Sequence, residues 1–189
     1  LGYASGDYSD MAVMALGRAA ERLPNQPGVY IALGRVWLET AQERRDPSAL
    51  RKALEALEPI ATRPSAPGTA LALYGRALLL AGQHQRAEHM LRQASSRLPV
   101  DPQTFLDLAD AAQRLGHLDL AREALVQCHV LMPDDDRGRG ARTILIGDLS
   151  MRLNDVGGAV SWYERALASA PDDAELLQKL DQARRRLPS

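Results

Sequence analysis

The chain has 189 residues, 46% hydrophobic but only 4% aromatic, so its apolar mass is alanine and leucine, the material of closely packed helices. Lys+Arg number 23 against Asp+Glu 24, and a formal charge of −1 removes any general attraction to nucleic acid or anionic membrane. A single cysteine excludes a disulfide within the chain, and no run of about 18 apolar residues is present that would span a bilayer.

The chain starts at Leu1 rather than Met, so it is expected to have been cut from something longer. Targeting information would have gone with the missing part, which leaves cytosol and bacterial periplasm both open. Residues 1–26 read as a partial unit in which Ser9 to Arg22 is the second helix. Ala12, Ala19 and Pro24 carry its spacing of seven and five. Residues 27–67 follow, with helices over Gly28–Gln42 and Pro47–Thr62. The unit 68–101 has helices over Thr69–Ala81 and His84–Leu98. The unit 102–135 has them over Pro102–Leu115 and Leu118–Leu131, and 136–171 over Ala141–Leu153 and Val156–Ala170. Asp172 to Leu187, within 172–189, is a single closing helix. Nothing reads as a strand.

The punctuation has physical causes. Gly82 and Gly116 stand where a first helix must end in a left-handed cap. Asp101 before Pro102 places a capping carboxylate ahead of a proline at the first helical position. Pro24, Pro99, Pro133 and Pro171 end second helices, whose interiors tolerate proline poorly. Arg184, Arg185 and Arg186 suit the negative end of a helix dipole better than a nucleic-acid contact, since no aromatic stacking surface accompanies them.

A ladder of small residues binds these units into one scheme. Gly75, Ala87, Ala94 and Pro99 are spaced twelve, seven and five apart, as are Ala109, Ala121, Cys128 and Pro133, and Gly147, Ala159, Ala166 and Pro171. Gly34, Gly75 and Gly147 lie inside helices, where glycine costs about 1 kcal/mol relative to alanine. The expected compensation is close approach of the partner helix that carries Ala87, Ala121 or Ala159. Cys128 occupies an alanine slot and reads as a small buried hydrophobe.

With Pro99 and Pro133 34 residues apart, the ladder resembles the tetratricopeptide repeat. Bulky residues flank the small slot as in that family: Tyr30 and Leu33, Leu71 and Tyr74, Phe105 and Leu108 before it, Trp37 and Leu78 after it. Leu91, Leu125 and Tyr163 stand in the second helices. The resemblance implies an all-α fold, a right-handed superhelical solenoid of antiparallel helix pairs. Two departures break the period. Gly34 to Gly75 is 41 residues, with the surplus around Glu43 to Pro47, and Pro133 to Pro171 is 38, with the surplus in Asp134 to Gly140. The first is expected to lengthen a helix or turn within its unit and the second to lie between units.

No catalytic or metal-binding pattern emerges. His84 and His117 fall in turns and His89 and His129 on second helices, with no pair at the i, i+4 spacing of a helical metal site. Asp134 to Asp136 lack the ligand spacing and closing Glu of a calcium loop. Gly157-Gly158 lack the strand-turn-helix context of a phosphate loop. No enzyme activity, cofactor or metal is expected.

The resemblance instead implies a concave groove lined by the first helices. The positions it designates are Ile31, Arg35 and Leu38, then Arg76, Leu79 and Leu80, then Leu106, Asp110 and Arg114, and finally Ile144, Asp148, Met151 and Arg152. This groove would have an apolar floor, a basic first half and a mixed or acidic second half. Family members that clamp the carboxylate of chaperone tails use Lys and Asn where this chain has Ile31, Ala72, Leu106 and Ile144, so a chaperone tail is not the expected ligand. The expected function is protein–protein interaction with a peptide or protein segment. Arg35 and Arg76 would orient an acidic stretch, and Leu79, Leu106 and Ile144 would hold apolar anchors. The alternatives are a periplasmic scaffold segment of a bacterial envelope or polysaccharide-export machine, or an accessory domain of an enzyme such as a glycosyltransferase. The open apolar face of the truncated first unit would also allow self-association.

Overall fold

The computed structural model describes residues 3–23, 26–132 and 138–187. Pro24 and Pro133, read above as helix terminators, and the aspartates 134–136 lie outside the described residues. The helices are α1 (Tyr3–Arg22), α2 (Pro27–Arg44), α3 (Pro47–Ala61), α4 (Gly68–Leu80), α5 (His84–Ser95), α6 (Pro102–Leu115), α7 (Leu118–Leu131), α8 (Arg139–Arg152), α9 (Val156–Ser169) and α10 (Ala174–Arg185). No strand occurs among the described residues. Helix α1 starts six residues earlier than the sequence suggests, and α5 stops at Ser95 rather than Leu98.

The chain forms two compact units, Leu1–Val100 and Asp101–Ser189. In the first, α2 pairs with α3 and α4 with α5, while α1 packs on α2. In the second, α6 pairs with α7 and α8 with α9, and α10 packs on α9.

Local chemistry sets where helices begin. Asp46, Asp101, Asp155 and Asp173 each accept a hydrogen bond from a backbone N–H of the first turn they cap, at 2.8, 2.9, 3.0 and 3.1 Å. Pro27, Pro47 and Pro102 occupy first-turn positions, where a missing N–H costs nothing. All four turns within a pair use a left-handed residue: Arg45 (φ 51°), Gly82 (φ 74°), Gly116 (φ 78°) and Asn154 (φ 60°). Two of these positions hold residues with a Cβ, and Arg45 carries the cost of that conformation without the relief that a short polar side chain gives Asn154.

The glycine slots are sites of close approach to the partner helix, and the neighbour there is a bulky side chain. A Cβ on Gly34 would sit 2.4 Å from Leu57 Cγ, on Gly75 2.6 Å from Leu91 Cγ, and on Gly147 2.5 Å from Tyr163 Cε1. The bulky residue one turn beyond the alanine fills the slot. Ala53, Ala87 and Ala159 lie one turn before these residues and are themselves fully buried, so the helix backbones can close together around the bulky side chain.

This register explains the first break in the period. From Gly34 to the left-handed Arg45 is eleven positions, against seven from Gly75 to Gly82 and from Gly147 to Asn154. From Arg45 to Leu57 is twelve, against nine from Gly82 to Leu91 and from Asn154 to Tyr163. The surplus therefore divides into four residues on α2 and three on α3, close to one helical turn each at about 3.6 residues per turn. The hairpin is longer by a turn on both sides and the facing residues stay in register. Helices α2 and α3 accordingly reach 18 and 15 residues, while α4 to α10 have 12 to 14.

Two alanine substitutions separate close packing from helix propensity. Gly75→Ala must push Leu91 aside and should destabilise by about 1–3 kcal/mol despite the better helix former. Gly17→Ala meets nothing within 4 Å in α1 and should stabilise by up to about 1 kcal/mol. Urea unfolding of both variants checks the opposite signs.

Candidate functional site

The designated positions fall on the first helices of each pair, α2 and α4 in the first unit, α6 and α8 in the second. Their surroundings differ. On α2, Arg35 is exposed and Ile31 half-buried. Leu38 is not on an open face at all. It is only 2% exposed and packs with Ala53 of α3 and Ala77 of α4, flanked by Trp37, Leu50, Leu54 and Leu73. Two neighbouring helices thus enclose a position that the family pattern assigns to the groove. On α4, Arg76 and Leu79 are half-buried, while Leu80 remains 46% exposed.

In the second unit the designated acids are already neutralised. Asp110 accepts a hydrogen bond from Arg114 Nε one turn along α6, at 2.8 Å. Asp148 on α8 accepts from the Tyr163 hydroxyl at 2.7 Å and from Lys179 Nζ of α10 at 2.8 and 3.0 Å. Ile144 and Met151 pack against the cluster of Ala159, Tyr163, Ala166, Leu176, Leu180 and Ala183, built by α9 and α10. The closing helix therefore sits against this stretch of α8, and Ile144 and Met151 are core neighbours rather than open groove anchors. Leu106 is half-buried, and Arg152 is exposed at the end of α8.

A tyrosine, a carboxylate and a cation meet in each unit, a combination the sequence did not reveal. In the first, the Tyr74 hydroxyl donates to Glu58 Oε1 at 2.8 Å, and Arg86 donates to Glu58 at 2.9 Å and to the Tyr74 oxygen at 2.7 Å. This joins α3, α4 and α5. In the second, Tyr163, Asp148 and Lys179 join α9, α8 and α10. The partners stand 12 to 31 residues apart, beyond any local pattern. Hydrogen bonds from Tyr74 and then Arg86 hold the Glu58 carboxyl below its usual range. Burial, reinforced by Glu58, pushes the Tyr74 phenol up to about 12, and burial beside Asp148 raises Tyr163 as well. Glu58 stays charged and both phenols stay protonated at neutral pH, which suits fastening helices rather than exchanging protons.

Two of the histidines are engaged in local contacts. His129 meets Trp162 edge-on with centroids 5.2 Å apart, and Arg165 lies 4.7 Å over the same ring. His89 is hydrogen-bonded to Gln93. Among the described residues, no three His, Cys, Asp or Glu side chains gather as metal ligands would.

Residues 144–173 match the sequence profile of the tetratricopeptide repeat. This stretch of α8 and α9 is a tetratricopeptide repeat. Tetratricopeptide repeat protein 21A of Homo sapiens is 30% identical over 98 residues, which is 52% of this chain and 7% of that protein. The chain thus spans a small fraction of that relative's length. Among solved structures, MamA aligns with a TM-score of 0.70 at 20% identity, covering 91% of this chain and 94% of MamA. YrrB, described as a TPR protein with an unusual peptide-binding site, aligns with a TM-score of 0.68 at 17% identity, covering 91% and 83%. TTC0263, a thermophilic TPR protein of Thermus thermophilus, aligns at 0.56 and 21% identity over 96% and 92%. These likenesses establish the fold, an all-α solenoid of helix pairs, as the tetratricopeptide architecture.

Two measurements test the fastenings. Tyr74→Phe should cost about 1 kcal/mol, a net hydrogen bond discounted because Glu58 and Arg86 are half-exposed. Glu58 has a depressed carboxyl, so its contribution is complete above the unfolded value of 4.5 and fades as pH falls through the lower folded value. The stability gap between the native chain and Tyr74→Phe should therefore hold from pH 7 down to about pH 5 and narrow as pH falls further. For the second triad, Lys179→Met keeps the aliphatic stem and removes the charge that meets Asp148. Backbone hydrogen exchange should then speed up in α10 while α4 and α5 are unaffected.

Proposed function

We propose that this chain is a non-catalytic protein-interaction module that binds a peptide or protein segment on the faces of its first helices. The tetratricopeptide fold is a scaffold for protein–protein interaction, and the question specific to this chain is which surface serves it. The observation that carries the reading is the α2–α4 face. There Leu80 is exposed next to half-buried Leu79 on α4, Ile31 is half-buried on α2, and Arg35 is exposed with no ion pair to any described residue. An apolar strip with a charge at its side suits an extended or helical segment with a few hydrophobic anchors. The peptide-binding site named for YrrB, which shares the fold, supports the same reading. Ile31 and Ala72 stand where a carboxylate clamp would need hydrogen-bond donors, so the C-terminal tails of chaperones do not fit this face.

Reversing charge on this face tests the proposal. Arg35→Glu with Arg76→Glu should weaken the interaction with a partner recovered by the native chain by about tenfold or more. Circular dichroism should show unchanged helicity. Undiminished affinity in a folded double variant would show that the partner binds elsewhere.

A further inference from the structure

Resting on the proposed first-helix reading, we infer that the partner is read by the first unit, and that it is a segment pairing an acidic side chain with an apolar anchor three residues away. The two units offer different surfaces. In the second, Asp110 is satisfied by Arg114, Asp148 by Lys179 and Tyr163, and Ile144 and Met151 lie against the cluster that includes α10. Its first helices carry no large exposed apolar side chain among the described residues. In the first unit, Arg35 is exposed without an ion pair to a described residue, and Leu80 is 46% exposed on the adjacent first helix. A cation and an apolar side chain that are both open to solvent can each gain from a ligand, whereas groups already satisfied in the chain gain little.

The separation of the two groups sets the ligand pattern. Helices α2 and α4 pack directly on one another and, each being the first of its pair, run in the same direction. Arg35 stands one position beyond Gly34 and Leu80 five beyond Gly75, a difference of about 6 Å along the axis at 1.5 Å per residue. With axes roughly 8–10 Å apart, the two anchor points lie about 11 Å from each other. A segment in the polyproline II conformation rises about 3.1 Å per residue with three residues per turn, so side chains three positions apart lie on one face about 9 Å from each other, within reach of both anchors. Glu39 lies one turn beyond Arg35, exposed on the same ridge, and opposes an acidic ligand. Its removal should therefore strengthen binding.

A random twelve-residue peptide library displayed on phage and panned against the full chain provides the test. Enriched peptides should carry Asp or Glu three residues from Leu, Ile, Met or Phe. Binding of the corresponding synthetic peptides, read by fluorescence anisotropy, should fall about tenfold in Arg35→Glu and in Leu80→Ser. It should rise in Glu39→Ala and stay unchanged in Arg92→Glu, a charge reversal on the second helix α5. Circular dichroism of each variant verifies folding. Peptides that bind and respond to Leu80→Ser but lack the acidic residue, or ignore Arg35→Glu, overturn this inference and leave first-helix binding standing. Peptides weakened only by Arg92→Glu, or a library that yields no specific binder, overturn the first-helix reading itself and this inference with it.

Discussion

A large side chain seated on a position without a Cβ holds three of the four helix pairs together. Leu57 on Gly34, Leu91 on Gly75 and Tyr163 on Gly147 approach so closely that even a methyl group would collide. Close approach lets alanines such as Ala53, Ala87 and Ala159 be fully buried, so a chain with few aromatics still fills its interior. The loss of helix propensity at these glycines is local, about 1 kcal/mol each. The packing gain extends along both helices. Fixing the pair also fixes which side of the first helix turns outward, so the candidate binding face is a consequence of the same contact.

The longer hairpin shows how strict that constraint is. A surplus of seven residues could have formed a loose loop, yet it is divided between α2 and α3 as roughly one turn each. Any division far from whole turns would rotate Leu57 away from Gly34. Arg45 then takes the left-handed turn that glycine serves in two other pairs, at the conformational cost of a Cβ. Trp37 and Lys52, 4.2 Å from ring centroid to ammonium, tie α2 to α3 near the added turns.

What could be read from the sequence follows from the range of each interaction. The start of α6 was legible because Asp101 acts on a residue two positions away, and Gly82 and Gly116 mark left-handed turns by their own chemistry. Arg45 and Asn154 adopt the same turn without announcing it. The glycine slots were legible as close approaches of the partner helix, but the side chain that fills each, Leu91 or Tyr163, was not. Leu38 was misassigned because burial depends on Ala53 and Ala77, which no single-helix pattern reports. The fastening of Tyr74 by Glu58 and Arg86 had no local signature, and neither did that of Tyr163 by Asp148 and Lys179.

The same distinction bears on where a partner can bind. Groove positions inferred from helical register assume that nothing else in the chain covers them. Helix α10 removes that assumption for α8, since Lys179 meets Asp148 and Leu176 and Leu180 build the cluster on which Ile144 and Met151 rest. A partner reaching Ile144 or Met151 there would have to displace contacts already made, and it would recover only the difference in free energy. At Arg35 and Leu80 a ligand meets water instead of an existing contact, so burial of the leucine and pairing of the arginine both count toward binding. A groove defined by family position is therefore wider than the surface on which binding energy is available, which is why the proposed site is confined to the face of α2 and α4.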